Sequence, residues 1–555
     1  MNFEKNLATI LRNKTKLKEI RLEIPSNPEL GDFAFPCFKL GKDPINEARK
    51  LNKKIGNPIY LSKIEQKGPY LNFFIKPEIL IKETLTKITK EKKKYGSTNF
   101  GKGKKIVMDY SHPNIAKPFG IGHLRSTVIG NSIYNILKFV GYEPISVNHL
   151  GDWGTQFGKL IVAYNMWGNK KELEKDPIKH LLKLYVRFHK EEEKDETLLE
   201  NGRAEFKKLE DGNKETLKLW KNFKELSMKE FKRIYTLLNV KFDDYTGESF
   251  YVKNIDQTIK TINKKIKTEI SEGALIIDLK KYNMPPIILK KSNDSSTYHS
   301  RDLTAIIYRS KRYNPEKILY VVGSEHKLYF NQLFKAAKLA NLTKSELKHI
   351  DFGLIRFPEG KMSTRKGNVI FLEDVLNKSI NLAKKIIEKK NPKLKNKQEI
   401  AKTIGIGAII FGDLSNDRTR NINFDWEKIL SFEGETAPYI QYTRVRINSI
   451  LNKSSTRINK QPKLELLNKS EEIDLIKKLY NFPKVILSVA ETGKPHHLSN
   501  YLIKLSQKFN EYYHKHKVLS ENKEEMHARL ILIKSVNQVL ENGLVLLGID
   551  SPKEM

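Results

Sequence analysis

The chain has a single cysteine, Cys37, in 555 residues. A lone cysteine excludes an intramolecular disulfide framework and any cysteine-cluster zinc site, and it suits a reducing compartment. Long apolar runs are missing too: the start, MNFEKNLATILRNKTKLKEIRLEI, is interrupted by charge throughout. Neither a signal peptide nor a membrane span is expected, so the expectation is a cytoplasmic protein with no membrane partner. No internal repeat of solenoid type occurs. Acid is in short supply, with 65 Asp and Glu against 101 Lys and Arg and a formal charge of +36. That excess favours a polyanionic partner, because cations near phosphates gain from counterion release. It fits equally well a solvated lysine-rich surface, since Lys, Asn and Ile are all abundant, as AT-rich coding would produce.

What is present reads as several domains. Residues 1–90 alternate between helical text and a strand, GPYLNFFIKP, and form a small α+β module closed by a lysine-rich connector. From about residue 100 to 375 the pattern becomes strand, loop, helix, strand. KKIVMDYS precedes a periodic run with apolar Leu124, Val128, Ile129, Ile133, Ile136, Leu137 and Val140, and EPISVNHL follows it. This predicts a βαβ unit in a Rossmann-type parallel sheet. Charged amphipathic text over about 160–265 predicts a helical insertion. Strand-like runs return in GALIIDL, PPIILKKS, KILYVVGS and HIDFGLI, and residues 376–555 read as helical.

Two loops carry chemistry. In SHPNIAKPFGIGHLRST, glycines 120 and 122 allow close approach of an anion, and a helix starting near His123 offers free amides and its positive dipole end. A bare GxGH reads more readily as a glycine-permitted turn, and Arg125 at the third-glycine position rules out the dinucleotide fingerprint. The second loop, EGKMSTRKGN at 359–368, is rich in glycine and cations; alone it reads as a basic surface loop. Tyr298 and Asp302 lie four apart, hence on one helix face. Read alone, Asp302 is an ordinary first-turn helix carboxylate and Glu248, in YTGESFYV, a solvated loop residue.

Taken together and in this order, Gly120-Ile121-Gly122-His123 and Lys361-Met362-Ser363-Thr364-Arg365 resemble the two signatures of class I aminoacyl-tRNA synthetases. SHPNIAKPFGIGHLRSTVIG, NHLGDWGTQFGKL, YTGESFYV, TYHSRDLTAIIYR, YVVGSEHKLYFNQLF, KMSTRKGNVIFLEDV, FEGETAPYIQYTRVRINSIL and LVLLGIDSPKEM are similar to the arginyl-tRNA synthetases within that class. The resemblance implies ATP-dependent formation of arginyl-adenylate, then transfer to the terminal ribose of tRNA(Arg), with activation requiring bound tRNA. It implies ATP with magnesium as substrate; the sequence shows no protein metal-ligand cluster and no insertion suited to an editing domain, and a monomer is the default expectation.

Residue by residue, the resemblance implies that His123, Lys117 and Lys361 act at the phosphates. Lys117 would replace the second signature lysine, lost here to Thr364. Gly120, Gly122, His149, Gly323, Glu325, Met362, Ser363 and Arg365 would complete the ATP site. Glu248, Tyr298 and Asp302 would hold the arginine side chain, with Asn114 and His326 on its α-amino and carboxylate groups; His326 stands where many relatives carry glutamine. Tyr70 and Asn72 in the amino-terminal module would meet the tRNA elbow, and Tyr439, Gln441 and Tyr442 in the helical carboxyl-terminal domain would meet the anticodon.

Overall fold

The computed structural model describes residues 2–25, 27–356, 370–454 and 462–555. It divides into two compact units. The first comprises Met1–Tyr95, Arg446–Phe482 and Leu505–Val539, and the second Gly96–Val445, Pro483–Lys504 and Leu540–Met555.

In the first unit the alternating text GPYLNFF becomes the central strand of a three-stranded antiparallel sheet. Its strands are β1 (Phe33–Pro36), β2 (Leu61–Lys67) and β3 (Tyr70–Ile75), ordered β1-β3-β2. Phe33 pairs with Phe73 and Pro36 with Tyr70. Asp43 starts the helix Pro44–Ile55 by accepting from the Asn46 amide, with proline at the first helical position where no donor is needed. Phe3, Leu7, Leu11, Leu71 and Phe73 are fully buried, and apolar burial of this kind contributes about 1.5–3 kcal/mol per side chain. Asp32 receives the Ile75 amide and pairs with Lys477 at 2.8 Å, and the Tyr95 hydroxyl donates to the Leu479 carbonyl.

The second unit is built on β4 (Lys105–Asp109), β5 (Glu143–Val147), β9 (Lys317–Tyr320) and β10 (Glu346–His349), all parallel and ordered β10-β9-β4-β5. Ile106, Val107 and Met108 are buried, as expected of a strand covered on both faces. The strand order reverses at β4, which has β5 on one side and β9 on the other, so the crevice beyond their carboxyl ends is where an open α/β sheet binds ligands. The core beneath includes Val107, Ile318, Leu303, Ile306 and Leu333.

The expected insertion is present as the helices Thr155–Trp167, Pro177–Glu192, Thr197–Glu210 and Lys214–Leu237 with shorter pieces between them. Gly158 lies so close to Gly202 that a Cβ would collide with its carbonyl, and the two helices meet there. One expectation is refined: GALIIDL and PPIILKKS do not extend the parallel sheet. They form β7 (Ala274–Ile277) and β8 (Ile287–Lys290), which join β6 (Glu269–Ser271) in a separate antiparallel sheet. A two-residue parallel pair, β11 (Ile355–Arg356) with β12 (Ile422–Asn423), adds a strand where only helix was expected.

Arg125, at the third-glycine position of the fingerprint, is 1% exposed. Its Nε donates to Asp413 at 3.0 Å and Nη1 donates to the carbonyls of Gly353 and Arg420 at 2.6 and 3.0 Å. One guanidinium thus ties the helix Gly122–Phe139 to the helix Lys397–Leu414 and to the segments leading into β11 and β12. Arg125→Met leaves Asp413 buried without a cation and should lower stability by about 3–5 kcal/mol in urea unfolding. Adding Asp413→Leu should recover most of that loss, because the uncompensated charge goes with it.

Candidate active site

β4 ends on Asp109, and the chain then turns sharply, with left-handed φ at Ser111 (82°), His112 (53°) and Ala116 (59°). Such conformations cost of order 1–3 kcal/mol each and persist only where surroundings hold them. Here the Ser111 amide donates to Ser126 Oγ at 2.8 Å, and the Ala116 amide donates to Ser227 Oγ at 2.8 Å. Asp109 is 3% exposed and takes His112 Nε2 at 2.7 Å and Arg309 Nη1 at 2.6 Å. Burial works to raise its pKa, but Arg309 and His112 together hold the carboxyl well below the usual range.

The turn Phe119–Gly122 follows. Gly120 pairs antiparallel with Phe371, the Ile121 amide donates to the Ile370 carbonyl at 3.1 Å, and the Leu372 amide donates to the Phe119 carbonyl at 2.9 Å. Residues 370–372 are therefore tied to the glycine turn. Lys361, Met362, Ser363 and Arg365 lie outside the described residues. A Cβ on Gly122 would meet nothing within 4 Å, so the turn faces open space there. His123 packs on Phe119 with ring centroids 5.2 Å apart, and its Nδ1 is buried with no hydrogen-bond partner among the described residues. Burial pulls its pKa down to about 4, helped by His112 and Lys117, so the ring is neutral at pH 7. Lys117 Nζ lies 3.3 Å from Gln156 Oε1 and 4.8 Å from the centroid of Tyr185.

Past β9, Gly323 pairs with Phe352, and a Cβ at Gly323 would collide with the Glu325 carboxylate. Glu325 and His326 are exposed in the short turn before the helix Lys327–Leu339. On the other side of β4, Asn114 bridges to Gly151, where a Cβ would run into the Asn114 side chain.

An acidic pocket lies against the helix Tyr298–Tyr313, which starts with a capping box of Thr297 and Ser300. Tyr298 and Asp302 share a face one turn apart, as their spacing predicts. Asp302 accepts a hydrogen bond from the Tyr329 hydroxyl, and its other oxygen lies 3.4 Å from His149 Nε2. Arg309 Nη2 approaches His149 Nδ1 at 3.2 Å. Burial lowers the pKa of His149 against the pull of Asp302 and Asp109, leaving the ring neutral.

Glu248 is 9% exposed; its Oε2 lies 3.2 Å from Arg301 Nε but out of line for a hydrogen bond. The Arg301 guanidinium sits 4.8 Å over the Tyr298 ring and donates to Ser296 Oγ at 2.9 Å. Burial pushes the Glu248 carboxyl up to about 8; Arg301 opposes this, and Asp302 and Asp152 reinforce it. Asp152, fully buried, pairs with Lys224 at 2.7 Å and accepts from the Ser249 amide and hydroxyl.

Asp109, Asp152 and Glu248 thus each face a cation from the chain itself, whereas among the described residues Asp302 meets the neutral Tyr329 hydroxyl and His149 ring. The sequence reading missed Arg309, Tyr329, Asp109, His112 and the Asp152–Lys224 pair. Arg309 carried a signal, for it lies seven residues beyond Asp302 and so on the same helix face. The rest depend on chain segments far apart in sequence.

The residues expected to meet nucleic acid lie elsewhere. Tyr70 is half-buried with its ring edge-on to the exposed Phe38, and Asn72 is buried in β3. Tyr439 is half-buried and Tyr442 exposed on the helix Ala437–Lys453. Gln441 is buried, its amide donating to the Asp550 carbonyl at 2.7 Å.

Comparison with known proteins adds three family matches. Residues 1–75 match the arginyl tRNA synthetase N terminal domain, residues 84–426 the catalytic domain of tRNA synthetases class I (R), and residues 440–555 the DALR anticodon binding domain. The chain is 47% identical over 566 residues to the Arginine--tRNA ligase of Clostridium kluyveri and 45% identical over 565 residues to that of Halothermothrix orenii, each covering 100% of both chains. Among solved structures, Thermus thermophilus arginyl-tRNA synthetase superposes with a TM-score of 0.85 at 23% identity, covering 100% of both chains. Arginyl-tRNA synthetase from Plasmodium falciparum gives 0.82 at 23% identity, covering 100% of this chain and 99% of that one. At this identity the two structures speak to fold alone.

The raised Glu248 carboxyl makes stability depend on pH. Below its ordinary value of 4.5 the group is protonated folded or unfolded. Between 4.5 and about 8 the folded protein keeps a proton that the unfolded chain gives up, so stability falls as pH rises through this window. Glu248→Gln cannot ionise and should lack that dependence. Thermal unfolding of variant and parent at pH 5 and pH 8 checks this; the variant's relative stability should increase with pH, and a constant difference would contradict it.

Proposed function

Because the chain belongs to the arginyl-tRNA synthetase family, we propose a division of labour among its residues in joining L-arginine to tRNA(Arg) at the expense of ATP. The reaction has two steps. The arginine carboxylate attacks the α-phosphorus of ATP, forming a C–O–P link and expelling pyrophosphate. A hydroxyl of the terminal tRNA ribose then attacks the arginyl carbonyl carbon and AMP leaves. ATP enters with magnesium as part of the substrate; among the described residues no group of three or more His, Cys, Asp and Glu could hold a metal ion.

Both steps need developing phosphate charge stabilised more than they need a strong base. Gly120 and Gly122 let backbone approach the triphosphate, and His123, neutral by burial, serves as a hydrogen-bond donor to a phosphoryl oxygen. Lys117 supplies a cation beside the turn, and the second signature, Lys361, Met362, Ser363 and Arg365, contributes the remaining contacts to the phosphates. Glu325 accepts from the ribose hydroxyls, with Gly323 giving access.

In the amino-acid pocket Asp302 meets the substrate guanidinium, Tyr298 lines it and Glu248 lies alongside as second acid. Asn114 and His326 take the α-amino and carboxylate groups. The observation that supports this most directly is that, among the described residues, the partners of Asp302 are the neutral Tyr329 hydroxyl and His149 ring, which leaves the substrate to supply the cation. A site built around that charge rejects uncharged amino acids strongly enough that no editing domain is needed.

We place the tRNA elbow against the module 1–90, where Tyr70 offers a ring and buried Asn72 steadies its strand. The catalytic module spans 100–375 and the helical anticodon-binding module 376–555, where Tyr439 and Tyr442 stack on bases and Gln441 anchors their helix. The enzyme works as a monomer in the cytoplasm; no helix among the described residues is long and apolar enough to cross a membrane.

Arginine-dependent pyrophosphate exchange tests the scheme. Exchange should require tRNA(Arg) and fail with lysine or citrulline; equal rates with and without tRNA would sink the tRNA requirement. Lys117→Ala should raise KM for ATP on the order of tenfold, about 1.4 kcal/mol, with little change for arginine. Parent-like activation kinetics would remove its role.

A further inference from the structure

His149 follows β5 at the carboxyl edge of the sheet, where the sequence suggested a nucleotide contact. Its two ring nitrogens face other partners. Nδ1 lies 3.2 Å from Arg309 Nη2, and Nε2 lies 3.4 Å from Asp302 Oδ1. A guanidinium carries only N–H groups, so Nδ1 must be the acceptor, and the proton of the neutral ring sits on Nε2. Arg309 has no freedom to turn away. It is 1% exposed, its Nη1 holds Asp109 at 2.6 Å, and its guanidinium carbon lies 5.7 Å from the Tyr320 ring centroid. The imidazole is steadied from its face by Tyr251, stacked at 5.5 Å with 23° between the planes.

The result is a chain from the end of β4 to the amino-acid pocket: Asp109, Arg309, His149, Asp302, with the Tyr329 hydroxyl on the far oxygen of Asp302. Asp109–Arg309, Arg309–His149 and Tyr329–Asp302 are hydrogen bonds, while His149 Nε2 and Asp302 Oδ1 stand 3.4 Å apart in electrostatic contact. A charged imidazole at the same place would neutralise Asp302 and compete with the substrate cation; a neutral one orients the carboxylate and leaves its charge unspent.

We propose that His149 is a positioning residue of the arginine pocket: Arg309 sets it as the Nε2–H tautomer, and it aims Asp302 at the substrate guanidinium. This rests on the reading of Asp302 as the guanidinium partner. The selectivity that follows is for charge as well as shape, since citrulline has the outline of arginine but offers Asp302 no cation.

The test is the KM split in tRNA-dependent pyrophosphate exchange. His149→Leu removes both contacts and should raise KM for arginine by about tenfold, the low end for losing a polar partner of a charged group, with KM for ATP within about twofold of the parent. His149→Gln offers a carbonyl to Arg309 and an amide N–H to Asp302, and should bring KM for arginine back to within about threefold. If the leucine variant does not fold, His149→Asn, whose shorter amide reaches one partner only, replaces it with the same expectation. A rise confined to KM for ATP would make His149 a nucleotide contact and overturn the proposal, as would equal losses in the leucine and glutamine variants. Asp302→Asn separates the premise from the inference. If it leaves KM for arginine unchanged, the pocket reading itself fails; if it raises that KM while His149→Leu does not, only the positioning role falls.

Discussion

Asp109 and Arg309 form an ion pair that water scarcely reaches, and the ligand end of the parallel sheet depends on it. Neither group is stable alone at that depth, because removing one partner of a buried pair strands the other at a cost of about 3–5 kcal/mol. The pair therefore acts as a fixed point. Its carboxylate end also holds His112, which helps keep the strained segment after β4 in place. Its guanidinium end also holds His149 beyond β5. Two loops from different strands are thus oriented by one interaction, and both lead into the site.

From that point the pocket is organised by how its carboxylates are partnered. Asp109, Asp152 and Glu248 face Arg309, Lys224 and Arg301, while Asp302 has the Tyr329 hydroxyl and a neutral imidazole. In a medium of low polarity an ionised group without a counter-ion is costly, and a ligand that supplies one is bound in proportion. The phosphate end follows another logic. His123 is kept neutral by burial, with Lys117 near enough to lower its pKa further. The two halves of the site differ because the guanidinium is a cation of fixed shape and the triphosphate an anion that changes charge distribution as it reacts.

Much of this arrangement was legible in the chain. The β4–helix–β5 unit was readable because an apolar strand, a glycine turn and a periodic helix follow each other without interruption. Tyr298 and Asp302 fell on one face as their spacing requires, and Arg309, seven residues on, obeys the same rule. GALIIDL and PPIILKKS were readable as strands but not as members of a separate antiparallel sheet, since an apolar run specifies a strand and leaves its neighbour open. Gln441 and Asn72 are polar side chains on elements that are otherwise half-buried, and only their surroundings place them inside.

The sequence alone determined the order of the modules, the two signature loops, the excess of positive charge and the residue types that suit a guanidinium and a triphosphate. These are local or compositional properties, set by neighbours a few positions apart. Tertiary structure decided which carboxylate keeps its charge available, which nitrogen of His149 carries its proton, and what the buried Arg125 pairs with. Each of these depends on partners that are distant along the chain, such as His149 with Asp302 or Arg125 with Asp413. The burial that makes those partners necessary exists only once the chain has folded.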